Sequence, residues 1–344
     1  MITPSRGDPE GRPRRRLRSR RRPGRPPLRA RLTLTLIAAM LLGLASHARE
    51  AAAAPTRVWI DVDTSLGLAG KDIDDALALR LALHDPGLEV VGVSTVFGNA
   101  ELEQTHAITA AALRAEGSTL TPRRGRAEPL GAALPTRPSP ACSALAAALT
   151  EAPLTLLLLG PATNAAELIR RHPKLAGRIE RIVAVAGRRA GEEFRVGRGR
   201  TPLRDLNFES DPAAFAVLLG AGRPLSLAPF RLATKLTLGP DAIATVRRGD
   251  ARGRVLARAM RVWSGFWRLA FGLRGFHPFD TLAVGLLSAS GFRTERRRAE
   301  VRQTPDGPQL ILGDSGAPVT VGCAPSADFK TELTRRLARP PRLY

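Results

Sequence analysis

An α/β fold is predicted: a Rossmann-like, mostly parallel sheet flanked by helices, forming one domain over residues 55–344. Three observations predict it. From residue 58 onward short apolar segments alternate with helical ones. The apolar segments run nearly unbroken, as strands covered on both faces do. No internal repeat or low-complexity tract follows residue 56 to divide the chain.

In order, 58–62 predicts a strand and 74–84 a helix opened by two acids. A strand over 88–96 and a helix over 101–116 follow. After a Pro- and Gly-rich connection, 142–150 is helical, 154–159 is a wholly apolar strand, 162–171 a helix and 179–186 a strand. Next come a helix at 211–219, a strand at 225–228, and helices at 240–248, 252–272 and 280–288. Strand-like pieces near 299–303, 309–312 and 319–322 precede a C-terminal helix from Ser326.

The net charge of +22 is uneven: residues 1–31 carry twelve Arg against Asp8 and Glu10, which is +10 in a segment too rich in Pro and Arg to pack. A basic arm of this kind can bind phosphate backbones. It also precedes an apolar stretch over 32–45 and then Ser46-His47-Ala48, which places small residues three before and one before a cleavage point. Those features describe a secretory signal peptide over 1–54 with a long Arg-rich n-region, implying export to a periplasmic or extracellular space. The apolar run is short for a membrane span, so membrane contact is confined to export or to an uncleaved N-terminal anchor. No aromatic-interleaved basic patch or DNA-reading helix is present, and no nucleic-acid partner is expected. Cys142 and Cys323 are either a disulfide or two ordinary thiols.

The chemistry concentrates in Asp61-Val-Asp63 and Asp72-Ile-Asp74-Asp75, five carboxylates in fifteen residues between an apolar strand and an apolar helix. Asp61 and Asp63 lie two apart at a strand's carboxyl end, where open parallel sheets bind ligands. Asp74 and Asp75 open the next helix. The intervening loop holds two glycines and can fold back to unite the pairs. Hard carboxylate oxygens without His or Cys select Ca²⁺ or Mg²⁺ over Zn²⁺. For any single Asp the plain alternative is a helix cap or a solvated charge.

This strand–loop–helix pattern, ending in Asp74-Asp75-Ala-Leu-Ala78, resembles the calcium-binding signature of the inosine–uridine-preferring nucleoside hydrolases, with a longer loop than that family has. Ser94-Thr-Val-Phe-Gly98-Asn99, Leu159-Gly160-Pro161-Ala-Thr163-Asn164, Asp205-Leu206-Asn207-Phe208 with Asp211-Pro212, and Phe279-Asp280-Thr-Leu-Ala283-Val284 are similar to its other motifs, in order and over nearly the whole chain beyond residue 57. The resemblance implies an exported, Ca²⁺-dependent hydrolase that cleaves the N-glycosidic bond of ribonucleosides, or related N-ribosides, to base and ribose. It implies Asp63 as general base and metal ligand, with Asp75, Asp280 and the Leu159 carbonyl completing the ligands. Asp74, Asn99, Asp205 and Asn207 would hold the ribose hydroxyls, and Trp267, ahead of Trp263, would stack on the base. Both Trp residues also suit the core side of an amphipathic helix. Asp61 would be structural and Asp72 part of the lengthened loop. The family's assembly implies a homo-dimer or homo-tetramer.

Three positions depart from the pattern. Phe279 stands where the family has the His that protonates the leaving base, with His277 the nearest histidine. Asp205 replaces a Glu, and Gly199 falls near an Asn that contacts ribose. These departures leave a second expectation open: a catalytically weak or inactive member that binds nucleoside or sugar.

Overall fold

The computed structural model describes residues 54–199, 202–288 and 291–340. All but the last residue of the expected signal peptide lies outside them.

Ten strands form one sheet: β1 (Thr56–Val62), β2 (Leu88–Thr95), β3 (Arg123–Arg124), β4 (Leu154–Leu158), β5 (Ile179–Ala184), β6 (Arg188–Arg189), β7 (Leu225–Leu227), β8 (Arg293–Thr304), β9 (Gly307–Gly313) and β10 (Ala317–Ala324). Their order is β3-β2-β1-β4-β5-β7-β10-β8-β9-β6. From β3 to β10 every pairing is parallel, and the β10–β8–β9 ladder is antiparallel. The helices are α1 (Asp74–Leu83), α2 (Leu102–Ala115), α3 (Pro140–Glu151), α4 (Thr163–Arg171), α5 (Pro173–Ala176), α6 (Leu206–Ser210), α7 (Pro212–Gly220), α8 (Phe230–Ala233), α9 (Pro240–Arg247), α10 (Ala251–Phe271), α11 (Phe279–Ser288) and α12 (Phe329–Ala338).

Strand alternation divides the core into two layers. In β1, Val58, Ile60 and Val62 join α1, α2 and α9–α12 on one face, while Trp59 turns to the face covered by α3, α4 and α7. Caps written into the sequence set the helix starts. Ser139 accepts from the Cys142 N–H at 3.1 Å, Asp211 from Ala214 at 3.0 Å and Asp250 from Gly253 at 2.6 Å. Gly272, with φ +70°, ends α10 in the left-handed conformation that glycine adopts without strain. Arg80 of α1 is buried and ties three helices together: it pairs with Glu116 after α2 at 2.6 Å and Asp250 before α10 at 2.7 Å, and donates to the Leu337 carbonyl of α12 at 3.0 Å.

The expected elements are all present, and the differences have local causes. The single-turn helices α5, α6 and α8 and the two-residue strands β3 and β6 are too short to show a period. β8 begins at Arg293 rather than 299, because two strand partners hold a segment in which only Ala299 is buried. α12 begins at Phe329, three residues beyond Ser326. The disulfide alternative is not realised: Cys142 is a buried thiol and Cys323 a half-buried one.

Candidate active site

The carboxyl ends of the parallel strands converge on a cavity of about 380 Å³. Asn99 follows β2, Leu159 follows β4, Val185 and Ala186 follow β5, and Ala228 and Phe230 follow β7; all line it. This is the crevice that a parallel sheet leaves for a ligand.

On the floor, the loop after β1 does fold back. Gly67 and Gly70, at φ +95° and +69°, make the turn, and the Asp63 N–H donates to Asp75 Oδ1 at 3.2 Å. Asn99 fixes the Asp63 carboxylate, donating from its backbone to Oδ2 at 2.7 Å and from Nδ2 to Oδ1 at 3.1 Å. Gly98 permits that approach: its φ is +149°, and a Cβ there would stand 2.0 Å from Asp63 Oδ2. The Asp280 N–H donates to Asp74 Oδ2 at 3.2 Å, which brings α11 onto α1. Asp74, Asp75 and Asp280 each offer a carboxylate oxygen within 4.8 Å of the others. Asp74, which the sequence resemblance assigns to the sugar, therefore shares the trio, and Asp63 adjoins it through Asp75.

These acids are buried, and burial is the main cause of their raised pKa values. Asp63 is pushed up to about 7, and Asp74 also rises. Asp75 and Asp280 stand well above the carboxylate range, through burial and then the charges of their neighbours. Asp75 Oδ2 is buried with no hydrogen-bond partner among the described residues. A divalent cation fits this donor set: hard oxygens only, clustered, under-neutralised, with one carboxylate oxygen unclaimed. The Leu159 carbonyl accepts from Asn207 Nδ2 at 2.7 Å and keeps its second lone pair. Asp61 is separate from the cavity. Its Oδ1 accepts from Ser94 at 2.5 Å and Asn164 at 2.9 Å, a brace between β1, β2 and α4. Asp72 accepts from the Ile73 and Asp74 N–H groups at 2.6 and 3.2 Å, steadying the start of α1.

Beside this floor, Asp205 accepts from the Gly187 N–H at 2.8 Å, and burial lifts it to about 7. Asn207 spends its amide nitrogen on Leu159 and on the Val185 carbonyl at 3.1 Å. Both residues line the cavity.

Much of the remaining lining is aromatic. Trp263, Phe266, Trp267 and Phe271 from α10 meet Phe194, Phe230 and Phe279. Trp267 is buried, edge-on to Trp263 at 6.3 Å and to Phe271 at 5.1 Å, and neither indole N–H has an acceptor among the described residues. Phe279 begins α11 and packs on Phe230, their centroids 5.9 Å apart. His277 does not take its place: its Nδ1–H donates to the Leu236 carbonyl at 2.7 Å, its ring stands edge-on to Trp267 at 5.3 Å, and burial lowers its pKa. At Gly199 a Cβ would stand 2.9 Å from Phe271, so that ring occupies the space a side chain would need. Phe194, Phe230, Phe266, Phe271, Lys71 and Arg204 line the cavity without having been singled out in the sequence. Only Phe266 and Phe271, in the same helix as the two Trp residues, carried a signal.

With the site in place, comparison with known proteins is decisive. A profile of the family described as inosine-uridine preferring nucleoside hydrolase matches residues 58–324. The chain belongs to this family. It is 28% identical over 256 residues to the non-specific ribonucleoside hydrolase RihC of Shigella boydii, covering 67% of this chain and 79% of that protein. It is 28% identical over 211 residues to "Probable uridine nucleosidase 2" of Oryza sativa subsp. japonica, covering 53% of this chain and 59%, under two thirds, of that relative. Among solved structures, a plant nucleoside hydrolase superposes with a TM-score of 0.71 at 20% identity, over 83% of this chain and 100% of the other, which establishes the shared fold.

Proposed function

We propose that this protein is an exported, Ca²⁺-dependent hydrolase that cleaves the N-glycosidic bond of ribonucleosides. The observation that carries the proposal is the buried trio Asp74, Asp75 and Asp280, with an unpartnered Asp75 oxygen, two of whose members, Asp74 and Asp280, line an aromatic-walled cavity. Asp63, Asp75, Asp280 and the Leu159 carbonyl would hold the cation. When bound, it would supply Lewis-acid polarisation and lower the pKa of water.

The remaining steps belong to the chain's own residues. Asp63, oriented by Asn99, takes the proton of the attacking water as the oxygen bonds to the anomeric carbon. The bond to the base breaks and its electron pair leaves with the base, giving an oxocarbenium-like sugar that the surrounding carboxylates stabilise. Asp74, Asn99, Asp205 and Asn207 hold the ribose hydroxyls, and Trp267 holds the ring of the base. A signal peptide over 1–54 would deliver the enzyme outside the cytoplasm, a mature N-terminus between residues 49 and 56 being the expected mark of its removal.

A nucleoside panel assayed for base release, with calcium and after chelation, tests the proposal. Release that requires calcium is expected; a protein that binds no divalent ion in calorimetry would sink it. One observation favours a second reading, a binding protein with little turnover: Phe279 offers no proton to the leaving base, and His277 is engaged elsewhere. Calcium-dependent nucleoside binding without base release would establish that reading instead.

A further inference from the structure

All four strongly exposed large hydrophobic side chains among the described residues lie on α10: Val255, Val262, Phe266 and Leu269, exposed to 45, 76, 40 and 89%. At about 100° per residue they fall within an arc of roughly 60°, a single stripe along the helix. Beside it runs a second stripe, Arg254, Arg258, Arg261 and Arg268, all exposed. Among the described residues no carboxylate pairs with any of these four arginines. α10 itself contains no Asp or Glu. The buried face, Leu256, Met260, Trp263 and Trp267, points into the domain.

We propose that the outward face of α10 docks on an anionic lipid surface, the apolar stripe entering the headgroup–acyl boundary and the arginines meeting the headgroup charge. Charge decides against a second copy of this chain. A two-fold pairing of α10 with itself would set arginines against arginines with no acid to answer them. Area agrees: the stripe exposes on the order of 500 Å², below the roughly 800 Å² per partner of a standard protein interface, yet ample for an interfacial helix. The contact lies on the surface, since no helix among the described residues is long and apolar enough to cross a membrane. Phe266 belongs to both the stripe and the cavity wall, stacked on Trp263 at 4.9 Å, so docking brings the mouth of the cavity to the bilayer.

The test places an environment-sensitive fluorophore at Leu269→Cys in the full chain with Cys323→Ser, and a second at Asp306→Cys in the turn between β8 and β9 as control. Vesicles contain phosphatidylcholine alone or mixed with phosphatidylglycerol, with a spin-labelled quencher lipid. At least twofold quenching is expected at position 269 with the anionic vesicles only. It should be lost in high salt and weakened at least tenfold in vesicle titration by Arg258→Glu, Arg261→Glu and Arg268→Glu together, with melting curves confirming that the variants fold. Position 306 should stay unquenched. A chain that sediments with vesicles while position 269 remains unquenched is held by its N-terminal segment alone, and overturns the proposal. So does a label shielded by rising protein concentration without lipid, which would identify a second copy as the occupant.

Discussion

The two sides of the cavity are built by opposite means. On the floor three carboxylates each have a specified donor, Asn99 for Asp63, the Asp63 N–H for Asp75 and the Asp280 N–H for Asp74, while Asp75 Oδ2 has none among the described residues. These groups sit where parallel strands end, so the sheet holds them rigidly. Beside them, α10, the starts of α8 and α11 and the loop after β6 supply an aromatic surface held by ring packing, and two indole N–H groups there have no acceptor among the described residues. Hydrogen-bonded charge in a buried site tolerates almost no change, whereas packed apolar surface tolerates conservative change at modest cost. The floor should therefore determine whether the reaction occurs, and the wall which base is accepted.

The harshest way to break that division is at the floor. Asp63→Asn preserves shape and the bond to the Asn99 N–H but cannot take a proton. Its kcat for base release should fall by about three orders of magnitude, with the melting temperature unchanged or raised. A loss of less than tenfold would remove Asp63 from the reaction.

A second test uses Asp205, which burial lifts from 3.8 to about 7. The folded value lies above the unfolded one, so the folded chain holds this proton more tightly. The stabilisation is full below about pH 4, is lost as pH rises towards 7, and then stays constant. The shift is worth on the order of 4 kcal/mol. Asp205→Asn cannot titrate, so its melting temperature should fall less than that of the unaltered protein between pH 5 and pH 8. An equal fall in both would show that Asp205 ionises normally.

How much of each side could be read from the chain follows from the same contrast. Asp61 to Asp75 is legible because a strand end and the following helix start are neighbours in sequence, and the order of the remaining motifs supplies Leu159, Asn207 and Asp280. The sharing of Asp74 with Asp75 and Asp280 in one carboxylate trio was not legible, since it depends on how α11 meets α1 in space. Phe194 and Phe230 were invisible for a similar reason. They stack at 4.2 Å, one from the loop after β6 and the other from the start of α8, and no spacing links them. The fold was legible wherever strands are apolar. It failed at β8, where arginines occupy both faces and only partner strands impose the extended form.

The wall itself can be probed more gently. Trp267→Ala would open a core cavity costing about 3–5 kcal/mol, which confuses binding with stability. Trp267→Phe keeps an aromatic ring, and should raise KM for purine nucleosides by roughly fivefold with kcat nearly constant. Equal effects on purine and pyrimidine nucleosides would mean that Trp267 supports the cavity without touching the base.

The smallest expected effect is the most pointed. Phe279→His would place an imidazole on the cavity wall, at the first residue of α11 and against Phe230. Both the aromatic surroundings and the helix N-terminus disfavour a charged ring, so its pKa should lie below the ordinary 6.5. The protonated fraction, and with it any help to the departing base, should grow as pH falls. We expect a gain of about two- to fivefold in kcat at pH 6 and none at pH 8, far short of the 10²–10⁴ of a fully positioned acid, because no neighbour orients the new ring. A gain that is the same at both pH values would point to altered packing. No gain at pH 6, in a variant that folds and binds nucleoside normally, would mean that base departure is already assisted and that the aromatic wall suffices without an acid.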